Sequence, residues 1–210
     1  MASTTHTYTI LTGTVSTAGS IRNWVQHSSI PAAQILAEAE AYIYAQIRVR
    51  EMMTSAAITI ASGAYTTALP TGFLDPVSLR LDEDSTDLDY VQENLLGRII
   101  DENGSVEEGR PARWALYDDL IQYDVANDEA SALNGDMVYY KLPDPLAAST
   151  NETNFLTDKY PWLLRRACTM FGYEHRKRSA EFLAEQKLVD EAIMQVNQSA
   201  DMSRRGQILR

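Results

Sequence analysis

The chain holds one cysteine, Cys168, in 210 residues. A single thiol cannot close an intrachain disulfide, so packing and hydrogen bonds must hold the fold, as suits a reducing cytoplasm. Long apolar runs are also missing. No stretch nears the roughly 20 residues of a membrane-spanning helix, and the opening Met-Ala-Ser-Thr-Thr lacks the basic start and apolar centre of a secretory leader. Both absences predict a protein that meets no membrane. Motifs for chemistry are scarce as well: there is no Gly-rich phosphate loop, no Cys/His spacing for zinc and no Gly-x-Ser-x-Gly nucleophile. His6, His27 and His175 stand in separate segments without a companion at ligand spacing, which reads as surface or packing. Carboxylate pairs such as Asp118-Asp119 and Glu107-Glu108 could support acid–base hydrolysis. Neighbours on a strand, however, point to opposite faces, and neighbours in a turn are solvated. The expectation is no enzyme activity, no metal and no cofactor.

Positive charge is the remaining shortage. Lys and Arg number 18 against 29 Asp and Glu, a net charge of −11, which argues against wrapping on a phosphate backbone. The distribution says more than the total. Residues 75–144 carry 18 acidic against 5 basic side chains, whereas residues 159–210 carry 10 basic against 6 acidic. An acidic middle is followed by a mildly basic end.

What is present is an ordinary globular composition, 45% hydrophobic and 22% charged. Its hydrophobic period changes twice. A short helix is predicted over 18–27, then a break at Ser28-Ser29, then a helix with Pro31 in its first turn. Ile35, Ala39, Ile43 and Ile47 recur every four residues, widened by Leu36 and Tyr42, and the helix is expected to end near Arg50 or Met52. Period two follows. Segments 56–61 and 64–69 around Ser62-Gly63 read as a tight hairpin, and Val77, Leu79 and Leu81 mark a third strand. A short helix is expected over 91–100, a turn at 101–104, strands at 113–117 and 120–125 joined through Asp118-Asp119, and a last strand at 137–142. Helical spacing then returns. Thr157 is expected to cap a helix with Pro161 in its first turn and with Trp162, Leu163, Ala167, Met170 and Phe171 inward. Gly172 and the run His175-Arg176-Lys177-Arg178 suggest a break, and Phe182, Val189, Ile193 and Val196 mark a second helix to about Ser199. The predicted fold class is α+β: a helical bundle formed by N- and C-terminal helices with a β-rich insertion domain. Its expected parts are an arm over 1–17, the bundle over 18–53 and 155–199, the insertion over 54–146, and a C-terminal arm over 200–210.

Four stretches together resemble one family, the head–tail adaptors of short-tailed and related bacteriophages. They are EAEAYIYAQIRVREM (38–52), LPTGFLDPVSLRLD (69–82), Gly109-Arg110-Pro111 with the aromatic strands 114–117 and 138–140, and Asn151-x-x-Asn154-Phe155-Leu156 with Tyr160-Pro161-Trp162-Leu163-Leu164. They occur in the family's order. Neither the acidic region 82–106 nor the segment before Ala18 takes part. The resemblance implies a structural part of the virion neck, assembled in the host cytoplasm: a dodecameric ring of this chain under the portal protein. A tail hub or nozzle protein would attach beneath it, and DNA would pass through the lumen without specific binding. A negative lumen would repel the phosphate backbone. The tail, with Arg204, Arg205, Ile208, Leu209 and Arg210, is expected to be a mobile arm that orders on the portal. Asn151, Asn154, Phe155, Tyr160 and Trp162 are expected to form a hinge between bundle and insertion. Two other readings compete, a DNA-packaging or nucleic-acid-binding accessory and a glycan hydrolase. The acidic charge weighs against the first, the scattered carboxylates against the second.

Overall fold

The computed structural model describes residues 6–82, 86–97 and 105–208; the predicted turn at 101–104 and the end of the predicted helix over 91–100 lie outside them. The chain divides into two compact units, Met52–Leu142 and the combination of Met1–Glu51 with Pro143–Arg210. The class is α+β, with a large mixed sheet and a set of helices.

Among its described residues, the unit built from both chain ends holds six α-helices: α1 (Tyr8–Leu11), α2 (Ile21–Val25), α3 (Ala32–Gln46), α4 (Phe155–Lys159), α5 (Pro161–His175) and α6 (Ser179–Ile208). They do not form the expected bundle. Three of them, α1, α2 and α4, are only 4 to 5 residues long, too short to run beside a neighbour along a shared axis. Instead α5 is the hub on which α2, α3, α4 and α6 pack. Each short helix is held by local polar bonds. Ser20 caps α2 by accepting from the Asn23 N–H at 3.0 Å, while Gln26 closes it in the left-handed region. The segment before α2 is held by Arg22, which donates to the carbonyls of Thr12, Gly13 and Ile30. Leu11 is fully buried there.

The apolar stripe of α3 is buried as its spacing requires, through Ile35, Leu36, Ala39 and Ile43. The helix stops at Gln46, before the expected Arg50. The Asn197 side chain intercepts its end, donating to the Gln46 carbonyl and accepting from the Arg48 N–H, and the Arg48 guanidinium covers the carbonyls of Tyr44 and Ile47. Gly172 does not break α5. It lies in the helix because a Cβ there would come within 2.4 Å of Val25 Cγ2. The helix ends three residues on at His175, and the chain turns at Lys177, which takes a φ of 56°. Finally, α6 continues through 200–208, where the sequence suggested an irregular tail. Most of those residues are good helix formers, and Gly206 alone costs only about 1 kcal/mol.

The unit Met52–Leu142 contains β1 (Met53–Ile60), β2 (Thr66–Ala68), β3 (Phe73–Leu81), β4 (Thr86–Tyr90), β5 (Glu108–Gly109), β6 (Arg113–Tyr117), β7 (Leu120–Tyr123), β8 (Ala126–Asn127) and β9 (Leu133–Lys141). Seven form one sheet in the order β1-β9-β3-β4-β6-β7-β2, antiparallel except for β4 and β6, and β5 pairs with β8 in parallel. Alternate residues supply one core: Ile58 and Ile60, Leu79 and Leu81, Leu133 and Met137, closed by Leu88, Trp114, Ile121, Tyr123 and Tyr139. Trp114 is fully buried, and its Nε1–H donates to the Leu88 carbonyl at 3.2 Å.

The turn at Ser62-Gly63 exists, but its flanking strands do not pair with each other. β1 joins β9 and β2 joins β7. Asn127 takes over the turn's backbone, accepting from the Gly63 N–H and donating to the Ala64 carbonyl. Only a 3-10 turn, Glu93–Leu95, lies in the described part of the segment expected to be a helix. β4 was hidden in the sequence because its residues are mostly acidic or polar, with Leu88 buried among them. At Gly135 the backbone of β9 passes so close to β3 that a Cβ would sit 2.3 Å from the Arg80 carbonyl oxygen.

Gly172→Ala should lower stability by about 1–3 kcal/mol, because Val25 must give way. Gly135→Ala should cost more, because its obstacle is backbone. Urea unfolding midpoints of the two variants, compared with the parent, check the order.

Candidate functional site and its buried carboxylate

Glu40 stands on the buried face of α3, four residues after Leu36 and four before Tyr44. It is 2% exposed. A carboxylate persists in such a place only if donors take up its oxygens. The Leu146 N–H donates to Oε2 at 3.0 Å and to Oε1 at 3.3 Å. Asn154 Nδ2 and the Tyr44 hydroxyl donate to Oε1 at 2.8 and 3.1 Å. Asn154 Nδ2 also lies 2.8 Å from the Tyr44 hydroxyl oxygen.

The same asparagine caps α4. Its Oδ1 accepts from the N–H groups of Leu156 and Thr157, and Thr157 Oγ1 accepts in turn from the Asn154 N–H at 2.9 Å. Asn154 is therefore the N-cap, and Thr157, expected in that role, is its partner three residues on. The expected single helix is split in two at Tyr160. A residue before proline is driven from the α region, and Tyr160 adopts φ −125°, ψ 42°, ending α4 and opening α5 at Pro161.

Burial pushes the Glu40 carboxyl above its ordinary value of 4.5, with the bonds from Leu146, Asn154 and Tyr44 pulling the other way. Burial also pushes the Tyr44 phenol up, and the Glu40 charge adds to that. Cys168 is fully buried, and burial together with Glu40 pushes its thiol up, so it is held in the unreactive thiol form.

The five residues predicted as a hinge all lie in this helical unit. Asn151 Nδ2 donates to the carbonyls of Asp144 and Pro145 at 2.9 Å, fixing the turn that brings Leu146 to Glu40. Phe155 lies 5.9 Å from the Tyr44 ring and meets Tyr160 edge-on at 6.3 Å. Asn151, Asn154, Phe155 and Tyr160 thus gather around one polar centre. Trp162 does not join them and is not inward. It is 44% exposed and lines a cleft with Trp24 and Arg165. Of the predicted arm, Arg204, Arg205 and Ile208 lie on the last turns of α6, and Leu209 and Arg210 fall outside the described residues. Glu40 and Tyr44 were missed as partners of Asn154. The available signal was a glutamate at helical spacing within an apolar stripe.

Among the described residues, no group of three or more His, Cys, Asp or Glu side chains could hold a metal, and no helix is long and apolar enough to cross a membrane. The polar centre is a structural lock: every donor is committed to a helix, a cap or a turn. Charge is divided between the units. Met52–Leu142 carries 17 acidic and 5 basic residues, a net −12, while the rest of the chain is at +1. The chain thus has two units, one strongly acidic and one pinned internally by a hydrogen-bonded carboxylate. The SU10 adaptor protein family matches residues 14–210, and the chain belongs to it. Membership makes it a bacteriophage head–tail adaptor, and it implies portal and tail proteins as partners and the virion neck as its location. No curated protein matches the sequence.

Asn154→Ala should lower stability by about 2–4 kcal/mol, because it removes a cap and leaves Glu40 short of a donor. The pH response has a definite sign. Above about pH 4.5 the unfolded chain has released the Glu40 proton while the native state still holds it, so this group's contribution to stability falls as pH rises through that window. Glu40→Gln cannot titrate and should flatten that part of the profile. Urea midpoints of parent and variant between about pH 4 and pH 8 measure the difference.

Proposed function

We propose that copies of this chain assemble as a ring, dodecameric by the family resemblance, beneath the portal. The ring extends the DNA channel and gives tail hub or nozzle proteins their platform. The observation that carries this reading is the division of charge. A unit at net −12 beside a remainder at +1 is costly within one monomer, because like charges repel. It suits a wall that duplex DNA must slide past without sticking, since a surface that binds phosphates needs cations to displace counterions.

The end of α6 is the element proposed to meet the portal. Arg204 and Arg205 stand on its last turns, and Ile208 ends it. Leu209 and Arg210 complete the segment in sequence. Arginines on a helical end can pair with portal carboxylates, while burying Ile208 and Leu209 adds roughly 1.5–3 kcal/mol each before ordering costs. Assembly is then templated: contacts between copies are too small to persist alone, and the portal supplies the missing free energy.

Native mass measurement tests both statements. The purified chain should be monomeric or weakly associated and should form a ring when portal is added. A chain lacking residues 200–210 should fail to bind portal. A stable dimer indifferent to portal, or full ring formation by the truncated chain, would contradict the reading.

A further inference from the structure

Two exposed features have complementary chemistry and lie on different units. The first is a cleft of about 500 Å³ lined by Trp24, Trp162, Arg165, Arg166, Tyr173 and Glu185. The Arg165 guanidinium lies 5.5 Å over the Trp24 ring. A cation–π contact consumes none of the guanidinium's N–H donors, which stay available for a bidentate carboxylate. Arg166 is already engaged by Glu185 at 3.3 Å, whereas Arg165 has no carboxylate partner among the described residues. Beside it stands Trp162, large, apolar and 44% exposed.

The second feature is the tip of the β6–β7 hairpin, Tyr117-Asp118-Asp119-Leu120. Asp118 takes φ 53°, a left-handed turn position that aspartate tolerates. Both carboxylates are exposed, and they are flanked by Tyr117 at 49% and Leu120 at 37% exposure. An aromatic side chain, two acids and an aliphatic one are presented on a rigid two-residue turn.

We infer that the hairpin tip of one copy docks into the Trp24–Trp162–Arg165 cleft of a second copy. Asp119 takes the free edge of the Arg165 guanidinium, while Tyr117 and Leu120 cover the indoles of Trp162 and Trp24. An aromatic anchor beside a charge-assisted fork is the composition that dominates binding energy at interfaces. The occupant is a second copy because of charge: the tip belongs to the unit at net −12 and the cleft to the remainder at +1. Tip and cleft are different surfaces, so the contact is head-to-tail and repeats around a ring or along a filament. This inference rests on the reading that copies associate, but it uses a surface separate from the proposed portal contact.

Cysteine trapping without portal tests it. Thr169 also lines the cleft, and a full chain carrying Thr169→Cys there and Leu120→Cys at the tip should give a ladder of disulfide-linked oligomers under mild oxidation, with neither single variant passing dimer. Adding Arg165→Glu should slow trapping about tenfold, and adding Asp119→Arg as well should restore it. Thermal unfolding of each variant confirms that these exposed changes leave the fold intact. No ladder, or a ladder indifferent to the charge reversals, would overturn the inference. Portal shielding the introduced cleft thiol from alkylation, where a second copy does not, would overturn it too and assign the cleft to the portal. Because the trapping is done without portal, a negative result leaves the portal contact of α6 standing. Loss of portal binding on tail deletion would likewise leave the trapped contact standing.

Discussion

The buried carboxylate of Glu40 is the constraint on which the helical unit depends. Three chain segments meet there: α3 supplies Glu40 and Tyr44, the turn after Pro143 supplies the Leu146 N–H, and the start of α4 supplies Asn154. Leu146 and Asn154 lie 106 and 114 residues from Glu40 in the sequence. An apolar side chain at position 40 could pack, but it would leave the Leu146 N–H and the Tyr44 O–H without an acceptor. Such groups cost about 1–3 kcal/mol each when buried and unpaired. The carboxylate therefore selects one arrangement of the returning chain among several that would bury similar area. Specificity, more than raw stability, is what a buried polar network of this kind contributes.

The order of elements was legible in the sequence wherever period and burial agree. The stripe on α3 and the alternation of Leu79 with Leu81 each name their own buried face. Partnership was less legible. The turn at Ser62-Gly63 reads as a hairpin, yet Asn127, over 60 residues away, occupies its backbone and the strands part. Helix ends were misplaced for the same kind of reason. Asn197 stops α3, and only Val25 explains the glycine inside α5. These are long-range contacts, and local pattern carries no information about them. The site divided along similar lines. Asn154 was visible as a turn residue, but its second role, donating to Glu40, needs the fold. Trp162 was read as inward from its place near a helix start, and it faces out.

Charge was the most informative single property. Its segregation follows from composition alone, while the unit boundaries at Met52 and Leu142 show that the acidic residues belong to the sheet-bearing part. The helical part keeps near-neutral balance by pairing its own charges, as in Arg166 with Glu185 and Lys159 with Glu51. Membership of the SU10 adaptor family gives this asymmetry a setting. In the proposed assembly an acidic unit would act on DNA by weak long-range repulsion, which calls for charge without a fixed binding site.

The central claim is that this chain becomes an ordered ring only on the portal. Electron cryomicroscopy of portal rings incubated with an excess of the full chain tests it most directly. The account predicts one closed layer of this chain beneath the portal, with the end of α6 against portal density and the acidic unit lining the channel. Portal rings that remain bare, or a layer in which α6 points away from the portal and basic residues line the channel, would contradict it.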